Sequence, residues 1–377
     1  MNHFTIFNRN ARHFSEYETQ RIYEILHQEP QRLTGKMVVT PSVSKLEEVL
    51  EETRDLHPDI LGIGGGDGTG AQTLTMVAEK WGYVPDVIAI YALGTMNNWA
   101  MPFGLSDGVT DTIKKRLHVG ETKPMALASY ILQCAQQRRK VETEPLKVLD
   151  LNGRKGFNIG FGLLPKLVWM YYGKSIAQYQ KLERELLMTT PDKYAQKLEY
   201  LFHEKTIGLD MIEIVTNGLK GGLVAAIGTG IQGTVKSLLP YSKEHQFYTQ
   251  PMDAAIYIDG KKQTFPRPPT GVYSSVYEQS NLGIGGFWPL PTPEARSQPE
   301  KVEIVVTWCN PLEVVSQIPG LFRGKHMRNS AYFMASEMVV EYATPAVAEI
   351  DADFIVGTEF NFRYDRTVQV VAPYKKR

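Results

Sequence analysis

The chain has 377 residues, with 41 Lys+Arg against 41 Asp+Glu and no formal net charge. It is 43% hydrophobic and 22% charged, which excludes wholesale disorder, and at roughly 150 residues per domain its length suits two domains. The charge balance argues against a dedicated nucleic-acid binder. Two distant cysteines, Cys134 and Cys309, exclude a disulfide framework and a cysteine zinc cluster, and fit a reducing compartment.

The N-terminus lacks the apolar run of a secretory leader, and no stretch reaches the roughly 18 apolar residues of a spanning helix. A cytoplasmic protein is expected, one that would meet a membrane only peripherally. The first third alternates strand and helix patterns. Strands are expected at Phe4–Phe7, Met37–Val39, Ile60–Ile63 and Val87–Tyr91. Helical spacing joins Tyr17, Ile22, Tyr23, Ile25 and Leu26, then starts again at Leu46–Leu50, and returns through Leu74, Met76, Val77 and Ala78 before Gly82. That alternation predicts a parallel sheet covered on both faces, with ligands at the carboxyl ends of its strands.

Beyond about residue 124 short strand patterns dominate: Met211–Val215, Gly222–Ile227, Ala254–Ile258, Val302–Thr307 and Met338–Tyr342. Asp259-Gly260 is a hairpin signal. The expected architecture is an α/β N-terminal domain over residues 1–124, then an all-β sandwich-like C-terminal domain over 125–359. A helical insertion is expected near 163–206. The last segment, 360–377, would return to the first domain with a strand at Thr367–Val371. Within the insertion, Trp169, Met170, Tyr171 and Tyr172 cluster among Lys166, Lys174 and Lys181. The pattern suits a core-packing helix pair better than a membrane-surface element. Gly320–Arg328, with Arg323, Lys325, His326 and Arg328, reads as a charged loop.

The most informative stretch is Gly64-Gly65-Gly66-Asp67-Gly68-Thr69-Gly70, at a strand end before a helix. Contiguous glycines let backbone N–H groups converge on a phosphate, and the helix adds its N-terminal dipole. Asp67 inside such a loop suits handling of a metal ion or of the proton of an attacking hydroxyl. Thr69 can donate to a phosphate or cap the helix. No GK[ST] follows, so this is not a P-loop, and the contiguous glycines are a poor dinucleotide fingerprint. A second turn, Ala92-Leu93-Gly94-Thr95-Met96-Asn97-Asn98, ends the next strand. Gly94 and Thr95 can approach a phosphate there, and Asn97 can bond a ribose or a base edge.

These residues resemble the diacylglycerol kinase catalytic domain family, which includes sphingosine and ceramide kinases and bacterial lipid kinases. Gly65-Gly66-Asp67-Gly68-Thr69 matches its GGDGT, and the Gly94–Asn98 turn its GTxND. Asn8-Arg9-Asn10-Ala11-Arg12 is a degenerate form of its NPxSG turn. Phe157–Gly162, Asn281–Ala295 and Leu321–His326 match more loosely. The resemblance implies a diacylglycerol kinase- and NAD kinase-like α/β domain that binds nucleotide, a β-rich domain that binds the acceptor, and a site between them. It implies ATP and Mg2+ as cofactors and γ-phosphoryl transfer to a lipid hydroxyl. Asn8, Gly65, Gly66, Gly68, Thr69, Gly94, Thr95 and Asn97 would bind the nucleotide. Asp67, Asp351 and Asp353 would be catalytic, with Asp67 and Asp351 at the metal. The implied partners are a lipid substrate and a peripheral membrane surface, with a homodimer left open and no nucleic acid.

The chain departs from the family pattern in places. Its D-G-E becomes Asp351-Ala352-Asp353, with the last carboxylate one methylene, about 1 Å, shorter. Asn98 replaces an Asp, and Arg9, Ala11 and Arg12 replace Pro, Ser and Gly of the first turn. A nucleotide- or lipid-binding protein without catalysis, or a kinase of a non-lipid alcohol, is the alternative. NAD kinases share the GGDG loop, but the Gly-Thr-x-Asn turn and the lack of a downstream Asn-Glu pair argue against one.

Overall fold

The computed structural model describes residues 1–11, 13–94, 98–106, 114, 117, 119–171, 176–186, 242–276, 279–281, 286–289, 298–310, 313, 316–317, 325–351 and 353–374. The expected strands at Met211–Val215 and Gly222–Ile227 lie outside them.

Four parallel strands open the chain: β1 (Asn2–Asn8), β2 (Thr34–Thr40), β3 (Ile60–Gly65) and β4 (Val87–Ala92). They lie in the order β4-β3-β1-β2. β1, β3 and β4 are buried nearly throughout because helices cover both faces of this sheet. α1 (Glu16–Leu26) and α2 (Val43–Glu52) start at Ser15 and Ser42, whose hydroxyls accept from Glu18 N and Lys45 N. α3 (Asp67–Trp81) follows β3 and ends at Gly82 in the left-handed region. It packs on α2, and Lys80 Nζ bridges to Glu47 and Glu51 at 2.5 and 2.8 Å.

One helix departs from the sequence expectation. α4 (Lys123–Gln136) is capped by Thr122, with Pro124 in its first turn, and packs against α1. Met125, Leu127, Ala128, Ile131, Leu132 and Ala135 all join the core of the first sheet. Its buried residues line one side, with Ser129, Gln133 and Gln136 on the other, a helical stripe inside a stretch expected to open the β-rich domain. That core also takes Leu146, Val148, Phe157 and Val368–Ala372.

The remainder is strand-rich. β5 (Thr143–Leu151), β6 (Arg154–Gly156) and β7 (Asn158–Gly162) come first. Among the described residues three helices follow: α5 (Leu163–Tyr171), α6 (Ile176–Leu186) and α7 (Lys243–Thr249). Next are β8 (Ala254–Ile258), β9 (Lys261–Lys262), β10 (Gly271–Ser275), β11 (Gln279–Asn281), β12 (Gly286–Pro289), β13 (Val302–Thr307) and β14 (Ser330–Ala335). β8 and β13 coincide with the strands expected there. Asp259 and Gly260 take φ of +46° and +74°, the turn their sequence signals.

The chain closes with two long strands, β15 (Glu337–Ile350) and β16 (Asp353–Val371). They form an antiparallel hairpin in which Ile350 pairs with Asp353 across a two-residue tip. The pairing register shifts between Glu341 and Ala346, where Pro345 has no N–H to give. β16 pairs with β15, then with β5, and reaches β4 at Gln369–Val370. The expected last strand at Thr367–Val371 is therefore the end of a 19-residue one. A second core gathers Ile159, Phe161, Ile256, Ile304, Met338 and Phe360. A third joins the inserted helices to the hairpin through Trp169, Tyr179, Leu182, Phe247, Val347 and Phe354.

His3 on β1 carries a testable consequence. Burial first, and then the nearby His27, hold its pKa at about 4, against 6.5 for the free side chain. The unfolded chain therefore takes up a proton below 6.5 that the folded chain refuses until about 4. Stability present above pH 6.5 is lost as the pH falls through this window, about 2.5 kcal/mol by pH 4.5. Urea unfolding of wild type and His3→Gln at pH 7 and pH 4.5 measures it. The wild type should lose about that much more than the variant, and equal losses would contradict the assignment.

Candidate functional site

The glycine turn occupies the switch point of the parallel sheet, where β1 and β3 lie side by side and their connections leave in opposite directions. Asn8, the last residue of β1, donates from Nδ2 to Thr69 Oγ1 at 2.9 Å. Gly66 precedes α3 with no side-chain cap, so the first N–H groups of the helix face out from the turn. A Cβ on Gly66 would come within 3.0 Å of Gly94 Cα, so the two glycine turns meet backbone to backbone. Leu93 N donates to Gly65 O at 3.0 Å, and His13 N to Leu93 O at 3.0 Å. The ends of β1, β3 and β4 are thus tied into one rim. Thr95 and Asn97 lie outside the described residues.

Asp67 is the first residue of α3 and is buried. Its Oδ1 accepts from Trp99 N at 3.0 Å. Burial pushes its pKa up to about 6, against the pull of the Trp99 and Asn98 N–H groups. Those two groups belong to the segment after the second turn, which the sequence reading did not connect to Asp67. Gly70 makes room beneath, since a Cβ there would lie 2.7 Å from the Trp99 ring.

The acids from the distant part of the chain arrive at the same place. Asp351 and Asp353 flank the tip of the β15–β16 hairpin rather than alternating along a solvated strand. A Cβ on Gly68 would lie 3.4 Å from the Asp351 carbonyl oxygen and 3.9 Å from both carboxylate oxygens of Asp353. Asp353 is exposed and Asp351 is buried. Asp351 has φ of +48°, and its carboxylate accepts from Phe157 N at 2.7 Å, Asn158 N at 3.1 Å and Asn158 Nδ2 at 3.0 Å. Burial raises its pKa well above the carboxylate range, with the charges of Asp67 and Glu349 adding to the effect. Among the described residues no cation pairs with Asp67 or Asp351, and no three metal-ligating side chains cluster.

The donor set is all oxygen: Asp67 within the rim and Asp353 over it. That suits a hard divalent cation such as magnesium, which takes one or two carboxylates and draws its other ligands from phosphates and water. Asp351 has both oxygens engaged by N–H groups, which separates it from Asp67 despite their shared assignment to a metal.

The helical insertion supports the hairpin from behind. The Trp169 ring lies 6.0 Å from Phe354 and 5.5 Å from Tyr179, in a core. Lys166 is buried too, with Nζ donating to Phe247 O at 2.9 Å. It is not part of a solvated basic face. The side chains of Met170 and Tyr171, and all of Tyr172 and Lys174, lie outside the described residues, as does 318–324 of the charged loop.

The charge on Asp67 costs stability. With a pKa of about 6 in the fold against 3.8 in the free side chain, Asp67→Asn should raise unfolding stability at pH 7 by roughly 1–3 kcal/mol when measured in EDTA. The gain should shrink as the pH falls below 6, where the wild-type carboxyl takes up its own proton. Chemical unfolding at pH 7 and pH 5 tests this. A variant less stable than wild type at pH 7 would show that the charge is compensated in the fold.

Residues 4–130 match the diacylglycerol kinase catalytic domain family. Three solved structures from Bacillus anthracis str. Sterne share the fold; one is named a diacylglycerol kinase and two are named as candidates for that activity. TM-scores are 0.58, 0.55 and 0.57 at 13%, 12% and 13% identity, each match covering 98% of this chain and 96% of the other. No curated protein matches the chain. The family match covers about the first third of the chain, and the fold is shared with those structures over nearly its whole length.

Proposed function

We propose that the protein is an ATP-dependent lipid kinase that transfers the γ-phosphoryl group to a hydroxyl of a diacylglycerol-like or sphingoid lipid. The observation that carries this reading is the seating of Asp353 within about 4 Å of the Gly68 position, across from buried Asp67. An acid poised over the amino end of α3 suits a reaction in which a hydroxyl attacks a phosphate held by that helix end.

In this mechanism the N–H groups of the Asp67–Thr69 turn hold phosphate oxygens, and Asn8 fixes Thr69 in the rim. Gly94, Thr95 and Asn97 take the remainder of the nucleotide. Asp67 would hold magnesium, which would supply neutralisation of phosphate charge when bound. Asp353 accepts the proton of the acceptor hydroxyl as its oxygen bonds to the γ-phosphorus and the bond to the β–γ bridging oxygen breaks, leaving ADP. Asp351, engaged by three N–H groups, positions the tip instead of binding the ion. The acceptor is drawn from a membrane surface. Among the described residues no helix is long and apolar enough to cross one.

The purified chain should be incubated with γ-labelled ATP, magnesium and a total lipid extract, and the organic phase then separated. A labelled lipid is expected, reduced about 10³-fold or more in Asp67→Asn and about 10²-fold in Asp353→Asn. A wild-type rate in Asp67→Asn would overturn the mechanism. Label confined to the aqueous phase would point to a soluble alcohol. ATP binding without transfer would point to a binding protein.

A further inference from the structure

Beside the glycine rim lies a group of polar side chains to which the mechanism above gives no part. Asn158 opens β7 and is buried. Its Oδ1 accepts two hydroxyls from β10, Ser275 Oγ at 2.6 Å and Tyr273 OH at 3.2 Å. Its Nδ2 donates to Asp351 Oδ1 at 3.0 Å. Its backbone is engaged with the same residue in both directions. Asn158 N donates to Asp351 Oδ1 at 3.1 Å, and Asp351 N donates to Asn158 O at 3.0 Å.

An asparagine amide has an acceptor end and a donor end of nearly the same shape. Here Oδ1 takes both hydroxyls and the NH2 donates to the Asp351 carboxyl. Asp351 in turn sits in the left-handed region, which a non-glycine residue keeps only when its surroundings hold it there. A Cβ on Gly156 would stand 2.8 Å from Asp351 Oδ2, so the pocket around that carboxylate is closely fitted. Asp351 and Asp353 bracket the tip, so what fixes the first fixes where the second points.

We infer that Asn158, held in one amide orientation by Ser275 and Tyr273, is a positioning residue that sets the β15–β16 tip and thereby places the Asp353 carboxylate over the amino end of α3. The inference rests on the reading of Asp353 as the residue that meets the acceptor hydroxyl. Its structural half, the clamp on the tip, stands apart from that reading. Neither Ser275 nor Tyr273 touches the rim through any of these bonds. They bear on the tip through Asn158, and Ser275, with the shorter bond, carries more of the effect.

The test uses the full chain as Ser275→Ala, Ser275→Ala/Tyr273→Phe, Asp353→Asn and Ser275→Ala/Asp353→Asn. Hydrogen exchange read by mass spectrometry reports the clamp without any need for turnover. The Phe157 and Asn158 amides are bonded to the Asp351 carboxylate, and the Asp351 amide to Asn158. Exchange at these three should quicken about tenfold in Ser275→Ala and more in the double hydroxyl variant, while β13 at Val302–Thr307 keeps its wild-type rate. Turnover should fall about tenfold in kcat with KM for ATP unchanged, as displacing one carboxylate by a fraction of an ångström requires. In the Asp353→Asn background the Ser275→Ala change should cost nothing further, because the residue it positions is already disabled.

Unchanged exchange at the tip in the double hydroxyl variant would overturn the clamp. Losses that multiply in full between Ser275→Ala and Asp353→Asn would overturn the route through Asp353. If the wild type transfers no phosphoryl group to any acceptor, the kinase reading fails, and the exchange measurement alone still decides whether Asn158 holds the tip.

Discussion

The β15–β16 tip meets the glycine turn through the Asp351 carbonyl and the exposed Asp353 carboxylate, and the buried Asp351 carboxylate anchors that tip to β7. Asp351 turns in the left-handed region and gives its carboxylate to the N–H groups that open β7. That bond set anchors one end of β16 beside the site. The same strand then runs through the second core, pairs along β5 and ends against β4, whose own carboxyl end leads into the second glycine turn. One strand therefore belongs to both walls of the site. Loosening the tip would move Asp353 without disturbing the parallel sheet, because only the far end of β16 is built into it.

The electrostatics single out the same spot. Close by, buried Lys155 donates to Asp150 at 2.6 Å and to Asp365 at 2.9 Å, and its backbone N–H reaches Thr75 of α3 at 2.8 Å. There the chain balances buried acids with a buried base, as burial of charge ordinarily demands. About two turns away along α3, Asp67 and Asp351 share a buried region in which no cation among the described residues answers them. Two acids raised by burial, one adding to the other, are a costly arrangement in a chain that shows it can pair such groups. The expense is accounted for if the compensating charge arrives with a ligand. A divalent ion and the amino end of α3 together suit a polyphosphate.

How much of this was legible in the sequence depends on how local the signal is. The strand ends and the Gly65–Thr69 turn are set by neighbouring residues, and they lie where the pattern puts them. The hairpin at Asp259-Gly260 is local in the same way. α4 was not legible because Pro124 reads as a break until it is seen to fill the first turn after Thr122. β15 reads as short because Pro345 interrupts the alternation at a register shift. Asp351 and Asp353 stood out as acids, and the motif marked them as important. That they flank a hairpin tip, with one carboxylate turned inward and one outward, depends on bonds to residues almost 200 positions away. The link between Asp67 and the N–H groups of Asn98 and Trp99 is likewise a product of strand order and has no trace in spacing. Asn158 matched a loose family pattern and carried no role there. Its hydroxyl partners come from a strand more than 100 residues on.

The shorter acid at position 353 can be judged in this geometry. An aspartate reaches about 1 Å less far than a glutamate, a difference large enough to impair a reaction if the backbone stays fixed. Here the tip lies close in: the Asp351 carbonyl oxygen comes within 3.4 Å of where a Cβ on Gly68 would sit, and Gly68 has none. The Asp353 carboxylate lies 3.9 Å from that same position, so it stands over the helix end without the reach of a glutamate. Asn98 belongs to the same balance. It offers an N–H to Asp67 and adds no further negative charge beside two buried acids that no cation among the described residues pairs.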